Sequence, residues 1–287
     1  MMTSHKKGLY NMLRKRVTQV LPFLLPLRQK QKKLFYYMKM YFDYNLYSNH
    51  KAKVQLPYRF YETKSLMLNE NSGFDMKYQL GKVHNLHLAA KTLDHLVIYP
   101  GETFSFWQLV RFADQNQPYK DGLTLMDGKI TGAYGGGLCQ LSNMLFWMFL
   151  HTPLTIVERH GHAVEAFPPT TDELPQGTDA TVSEGWLDLK VRNNTKGKYQ
   201  LEINFDEDYM YGRILTNYAS EDSYEVFNQN VFYFKKDDKV YQNAGVWQRV
   251  VEAEKDYIKE QLLYNNTCEI GYHLPEQVQV MEYALLN

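Results

Sequence analysis

Residues 132–151, "GAYGGGLCQLSNMLFWMFLH", combine three consecutive glycines, one of two cysteines in 287 residues and a long apolar run. The apolar positions recur at intervals of three and four: Leu141, Met144, Leu145 and Met148. This spacing predicts a helix that begins at Leu138 and ends near His151, because Pro153 cannot continue it. Cys139 is therefore expected in the first helical turn, directly after a glycine turn.

A thiol at this position suits nucleophilic chemistry. The first N–H groups of a helix lack intrahelical acceptors and carry partial positive charge, and that field favours a thiolate. Gly136 and Gly137 allow a close backbone approach, so a substrate carbonyl could reach both the sulfur and the N–H groups of Cys139 and Gln140. The pattern predicts Cys139 as nucleophile, with Gly136, Gly137 and Gln140 as substrate-binding residues.

Two histidines follow in "ERHGHAV", residues 158–164. A thiol nucleophile needs a base, and the base needs a partner that orients it. If the stretch is a strand, alternation places His160 and His162 on one face. We expect His162, or else His160, to take the thiol proton and Asp179 to orient the ring. Asp188 is a second candidate for the orienting role.

Other roles remain open for the same residues. A lone cysteine at a helix start is often a small buried hydrophobe, and a bridge between Cys139 and Cys268 is a further alternative. A metal site is the third alternative, with candidate ligands Cys139, His160, His162, Asp179 and His151. Of these roles we favour the nucleophile, which requires no metal and no cofactor.

The stretch "PGETFSFW", residues 100–107, has two interpretations. Pro100 and Gly101 predict a turn that leads into a core strand. Alternatively, Phe106 forms an aromatic cleft wall and Glu102 contacts the substrate. We therefore include Glu102 and Phe106 among the candidate substrate-binding residues.

Helices are predicted before sheets along the chain. Residues 28–42, "RQKQKKLFYYMKMYF", and residues 82–97, "KVHNLHLAAKTLDHLV", have helical spacing of apolar side chains. Asp127 and Gly128, within "GLTLMDGKITGAY", are typical of a tight hairpin turn.

The second half of the chain has the pattern of antiparallel sheet. Residues 187–205 alternate as two half-buried strands joined by a turn, and "KKDDK" indicates another turn further on. The predicted class is α+β, with N-terminal helices packed on a mainly antiparallel sheet. The order of Cys on a helix, His on a strand and Asp on the next strand is that of papain-like and transglutaminase-like thiol enzymes.

Charge is balanced overall but unevenly placed. No acid precedes Asp43, whereas ten lysines and arginines do, and the remainder has 22 bases against 32 acids. This basic arm predicts contact through residues 6–33 with an anionic membrane or with the protein's own acidic body. No nucleic-acid module accompanies it, so no nucleic-acid partner is expected. Two cysteines are too few for a disulfide framework, which favours a cytoplasmic location, in one interpretation peripheral at the inner membrane face.

Several motifs together resemble the VanW family. They are, in order, "PGETFSF", "GGGLCQLSN", "IVERHGH" and "DATVSEGWLDLKVRNNT", and "HLAAKTLD" and "YKDGLT" extend the match. The resemblance implies a role in glycopeptide (vancomycin) resistance and the bacterial cell wall, in a family without an assigned biochemical activity. The family usually has Ser where this chain has Ala163, so a hydroxyl is not required there.

We expect three parts: a basic, partly helical arm (residues 1–50), a VanW-like core domain (51–220) and a β-rich C-terminal extension packed on the core (221–287). Two functions fit. The first is a Cys-dependent amide or ester hydrolase, or an acyl transferase, acting on cell-wall peptide precursors. The second is a non-catalytic protein that binds a wall precursor or a partner enzyme at the inner membrane face.

Overall fold

The computed structural model describes residues 25–68, 75–126, 129–165, 174–253 and 257–283. They form two compact units. The first unit contains the described residues up to Tyr44 together with Ser183–Trp186, and the second contains the rest. The division into an arm, a core and an extension stays a prediction, and the part of the basic arm before Leu25 lies outside the described residues.

The first unit is built on helix α1 (Leu25–Phe42), which confirms the helix predicted from residues 28–42. Lys33 pairs with Glu184, and the Tyr37 hydroxyl donates to the same carboxylate at 3.0 Å. One side of α1 is thereby bound to the segment Ser183–Trp186. Within the described part of the chain, no helix is long and apolar enough to cross a bilayer.

The second unit contains three further helices among its described residues: α2 (Met76–Leu93), α3 (Phe106–Val110) and α4 (Leu138–Leu150). Helix α4 begins and ends as predicted. Helix α2 ends earlier than the apolar spacing predicted, because His95 turns the chain at a φ of 63° and Val97 enters a strand.

Fifteen strands form four sheets in the described ranges. They are β1 (Leu46–Tyr47), β2 (Tyr58–Leu66), β3 (Val97–Ile98), β4 (Glu102–Ser105), β5 (Asp121–Met126), β6 (Lys129–Tyr134), β7 (Thr155–Glu158), β8 (Val164–Glu165), β9 (Lys190–Arg192), β10 (Tyr199–Phe205), β11 (Tyr209–Thr216), β12 (Ser223–Lys236), β13 (Lys239–Glu252), β14 (Tyr257–Ile270) and β15 (Val280–Glu282). The sheet orders are β1-β4-β9-β7, β2-β11-β10-β3, β15-β12-β13-β14-β8 and β5-β6. Most pairs are antiparallel, which confirms the predicted α+β class.

The main core lies where α4 packs on β2 and β11. Leu141, Leu145 and Phe149 are fully buried. Gly212 on β11 lets the helix approach, since a Cβ there would lie 2.6 Å from the Met148 sulfur. The sequence alternation predicted β10 as half-buried, but this strand is buried on both faces. This close helix–sheet contact fixes the position of the helix that carries Cys139.

Turn predictions agree with the structure where its residues are described. Asp237 and Asp238, in "KKDDK", both have positive φ and join β12 to β13. Strands β5 and β6 pair as predicted, and the Asp127-Gly128 turn between them lies outside the described residues.

The predicted strand through "ERHGHAV" is wrong in its middle. Strand β7 ends at Glu158, and only Val164–Glu165 returns to a sheet. The His162 N–H donates to the Asp179 carboxylate rather than to a neighbouring strand. The alternation that placed both histidines on one face therefore does not apply.

Candidate functional site

Cys139 lies at the second residue of α4, half-buried. Gly137 is the N-cap of this helix, with a φ of 99° and no side-chain cap. The Cys139 sulfur donates weakly to the Val182 carbonyl at 3.8 Å. Its side chain also interacts with the ring of His162 and raises the pKa of that ring. The thiol thus faces an imidazole at the start of a helix.

His162 is bound on its other side by Asp179. Its Nδ1 lies 2.5 Å from the Asp179 Oδ2, and its backbone N–H donates to the same oxygen at 2.7 Å. Burial alone would lower the pKa of His162, but the hydrogen bonds and charges of Asp179 and Cys139 outweigh burial and raise this pKa to about 10. The imidazole is therefore protonated at neutral pH.

Arg159 holds Asp179 from the opposite side. Its guanidinium donates to the Asp179 Oδ1 at 2.6 Å, to the Asp179 carbonyl at 2.6 Å and to Asn266 Oδ1 at 2.9 Å. It also lies 4.7 Å from the Tyr264 ring centroid. Burial would raise the pKa of Asp179, but the His162 hydrogen bonds and the Arg159 charge keep it lowered. The sequence prediction omitted Arg159, although it stands between Glu158 and His160 in the motif.

Two polar residues of α4 fix the segment that carries Asp179. The Ser142 hydroxyl donates to the Ala180 carbonyl at 2.6 Å, and the Asn143 Oδ1 accepts the Ala180 N–H at 2.7 Å. They follow Cys139 by three and four residues, so all three share one helix face. This spacing in "CQLSN" was a usable signal that the sequence prediction did not exploit.

His160 and Asp188 are placed elsewhere. The His160 Nε2 lies 3.0 Å from Glu158 Oε1, and Glu158 also accepts from Lys190 at 2.8 Å. Asp188 is fully buried and accepts from the Ser105 hydroxyl at 2.6 Å. The structure places His162 and Asp179 beside Cys139. His160 and Asp188 bind Glu158 and Ser105 instead.

The predicted oxyanion donors need one correction. The Gln140 N–H donates to the Gly137 carbonyl at 3.0 Å, and the Gln140 side chain donates to Ser65 Oγ at 2.8 Å. The Cys139 N–H, in the first helical turn, remains without an intrahelical acceptor. Gly136 packs against Gly122, where a Cβ on Gly136 would lie 2.2 Å from the Gly122 carbonyl oxygen. The glycines therefore serve close packing of the turn.

Glu102 and Phe106 lie outside this cluster. The Glu102 carboxylate accepts the Tyr99 N–H at 2.9 Å and closes the turn at Pro100 and Gly101. Phe106 is fully buried and packs against Trp107. The core-strand interpretation of this stretch fits the structure, and the cleft-wall interpretation does not.

Glu165 and Cys268 form a second pair, and Glu165 interacts electrostatically with Asp179 and His162. Cys268 donates to Glu165 Oε2 at 3.7 Å, and both cysteines are free, so no bridge joins them. Burial, with the charge of Glu165, raises the pKa of Cys268 to about 12. Burial and the charge of Asp179 raise the pKa of Glu165. No group of three His, Cys, Asp or Glu among the described residues is arranged to hold a metal ion.

A cleft of about 760 Å³ has Arg159 among its lining residues. Residues 152–157, strands β13 and β14, Arg159 and Tyr264 line it, whereas Cys139 and His162 do not. Arg159 therefore connects this cleft to the cluster around Asp179.

Comparison with known proteins identifies the family. The family model described as VanW like protein matches residues 81–215. The Vancomycin B-type resistance protein VanW of Enterococcus faecalis (strain ATCC 700802 / V583) is 49% identical over 273 residues, 94% of this chain and 99% of that protein. The chain belongs to the VanW family. The VanW match includes Cys139, His162 and Asp179, whereas Asn266 lies beyond it.

A second relative matches a shorter part of the chain. The uncharacterized protein YoaR of Bacillus subtilis (strain 168) is 38% identical over 110 residues, 38% of this chain and 35% of that protein. No solved structure matches the chain.

Proposed function

We propose that this chain is an accessory protein of vancomycin resistance. Its support is the 49% identity, over nearly the full length of both chains, to a protein named for vancomycin B-type resistance. Within that role we propose a Cys-dependent hydrolase or acyl transferase that acts on amide or ester bonds of cell-wall peptide precursors.

The catalytic proposal is supported by the two interactions of His162, a hydrogen bond to Asp179 and an interaction with Cys139 that raises the pKa of the ring. With its pKa raised to about 10, His162 is an imidazolium at neutral pH. A cation beside a sulfur favours attack by its thiolate form, so the proposed role of this imidazolium is to assist a Cys139 nucleophile. The sequence expectation had His162 take the thiol proton during attack, and in this proposal the proton is already on the ring.

The proposed reaction has two halves. The Cys139 thiolate attacks the carbonyl carbon, and the carbonyl oxygen gains negative charge beside the Cys139 N–H at the helix start. His162 then donates its proton to the departing amine or alkoxide, which leaves a thioester. Water, or an acceptor amine, attacks the thioester, gives a proton to His162 and releases the thiolate.

Mass spectrometry of the intact protein after incubation with muropeptides ending in D-alanine or D-lactate tests this proposal. A mass increase on Cys139, lost in Cys139→Ser and kept in Cys268→Ser, is the expected result. In resistant cells, Cys139→Ser is expected to lower resistance and Cys268→Ser to leave it near wild type. Unchanged resistance with Cys139→Ser would rule out the catalytic role.

The second candidate function is non-catalytic binding of a wall precursor or a partner enzyme. The cleft beside Arg159 favours it, because about 760 Å³ is within the range of ligand sites. Thermal shift with the same muropeptides separates the candidates. Binding that is lost in Val250→Glu, a cleft variant, but unchanged in Cys139→Ser would support this second function.

We also propose a cytoplasmic location, since the two cysteines are free and too few to form a disulfide framework typical of secreted proteins. A membrane-impermeant maleimide applied to intact cells should leave Cys139 unlabelled until the cells are lysed. Labelling before lysis would place the site outside the membrane.

A further inference from the structure

Helix α1 presents a row of large apolar side chains to solvent, which we name the apolar stripe. Its members and their exposed fractions are Leu27 (65%), Leu34 (60%), Phe35 (58%), Met38 (43%), Tyr41 (83%) and Phe42 (72%). At 100° per residue, these positions fall within an arc of about 120°. An exposed continuous apolar row of this kind marks an interaction surface.

The stripe lies on the side of α1 that faces away from its partner segment in the first unit. Lys33 and Tyr37 contact Glu184, and Lys32 lies 4.0 Å from the Trp186 ring centroid. On a helical wheel these three positions fall outside the arc of the stripe. The segment Ser183–Trp186 thus occupies one side of the helix and leaves the stripe exposed.

The charges of α1 indicate which partner the stripe fits. The helix has five basic residues and no acidic one: Arg28, Lys30, Lys32, Lys33 and Lys39. Arg28 and Lys39 flank one edge of the stripe and Lys30 flanks the other. A second copy of the helix would bring a matching set of positive charges, which opposes self-association. An anionic lipid surface complements both the charge and the apolar row.

We propose that α1 lies in the plane of an anionic bilayer surface, with the apolar stripe among the acyl chains and its basic residues at the headgroups. An exposed apolar face flanked by Lys and Arg has the properties of an interfacial helix. Long basic side chains can reach the headgroups while their stems stay on apolar surface. Membrane contact was predicted from the sequence for residues 6–33. That prediction was based on the basic residues alone, and the structure shows the exposed apolar side chains in addition.

Co-sedimentation of the full chain with two kinds of vesicles tests the proposal. One kind is phosphatidylcholine alone, and the other contains 30% phosphatidylglycerol. We expect binding to the anionic vesicles that is at least tenfold stronger and that weakens at high salt. The triple variant Leu34→Ser, Phe35→Ser, Tyr41→Ser should lose at least tenfold of this binding.

A matched variant controls for the loss of an exposed apolar side chain elsewhere in the protein. Val54 is 82% exposed in the second unit, so Val54→Ser should bind vesicles like wild type. Unchanged binding by the triple variant, or equal binding to both vesicle types, would overturn the proposal. Sedimentation equilibrium provides a second measurement, and a dimer abolished by the triple variant without vesicle binding would assign the stripe to a second copy. Alkylation of Cys139 should be identical in the triple variant, since this proposal is independent of the catalytic one.

Discussion

The two cysteines of this chain occupy opposite settings. Cys139 is half-buried at the start of α4, beside the His162 ring. Cys268 is 5% exposed in β14 and faces the Glu165 carboxyl, and burial with that negative neighbour raises its pKa to about 12. A cation beside one thiol and a carboxyl beside the other decide which sulfur can act as a nucleophile. The side chains next to each cysteine, rather than the residue type, therefore determine the reactivity of its thiol.

The largest expected effect is the contrast in alkylation between the two thiols. At pH 7.5 iodoacetamide should modify Cys139 faster than Cys268 by more than about 100-fold, because only a small fraction of Cys268 is ionised. Peptide mass spectrometry measures both rates in one sample. Unfolding in urea is the control and should bring the two rates together. Comparable alkylation rates of Cys139 and Cys268 in the folded protein would contradict this difference in reactivity.

The second effect separates two hydrogen-bonded carboxylates, the half-buried Asp179 and the buried Asp188. Asp179→Asn weakens the contacts to His162 and Arg159, and we expect about tenfold slower alkylation of Cys139 and a loss of about 3 kcal/mol of stability. Asp188→Asn is the matched control, because Asp188 binds Ser105 instead. It should lower stability without changing the alkylation rate. Equal slowing in both variants would mean that Asp179 has no specific link to the thiol.

A third, smaller effect concerns Asn143. Asn143→Ala leaves the Ala180 N–H without its acceptor, which should cost about 1–2 kcal/mol in urea unfolding and slow Cys139 alkylation about threefold. The exposed Asn194 donates to the Thr155 hydroxyl and not to the Asp179 segment, so Asn194→Ala should change neither quantity. A normal alkylation rate in Asn143→Ala would show that α4 does not position the Asp179 segment.

The smallest effect is on stability against pH. The folded-state pKa of His162, about 10, exceeds its unfolded value of about 6.5. Its stabilising contribution is therefore complete below about pH 6.5 and is lost as pH rises toward 10. Between pH 7 and 9 wild type should lose about 1 kcal/mol more than His162→Gln. His160→Gln, whose ring contacts Glu158, should behave like wild type.

Much of the fold follows from local sequence pattern. The helix after Leu138 has regular apolar spacing and a proline beyond its end, and the "KKDDK" turn has residues that tolerate positive φ. The class and the three longer helices α1, α2 and α4 were therefore predictable, although α2 ends earlier than predicted. The alternation of β10 gave no sign that both its faces are buried, because burial of the polar face depends on elements distant in sequence.

The candidate site was predictable only in its main members. Cys139, His162 and Asp179 were expected together and the structure brings them together, but their role stays a proposal. Arg159 escaped prediction because its partners Gly177 and Asn266 come from a loop and a distant strand. The prediction of a strand through the histidines was wrong for a related reason. The His162 N–H bonds to the Asp179 side chain and not to a neighbouring strand.

The catalytic proposal depends on a His162 ring that stays protonated beside Cys139 at neutral pH, and a nuclear magnetic resonance titration of this imidazole is the decisive experiment. We expect a ring that stays protonated through pH 8 and titrates near 10, with a lower midpoint in Cys139→Ser, where the sulfur is absent. A midpoint near 6.5 in wild type, unchanged in Cys139→Ser, would contradict it.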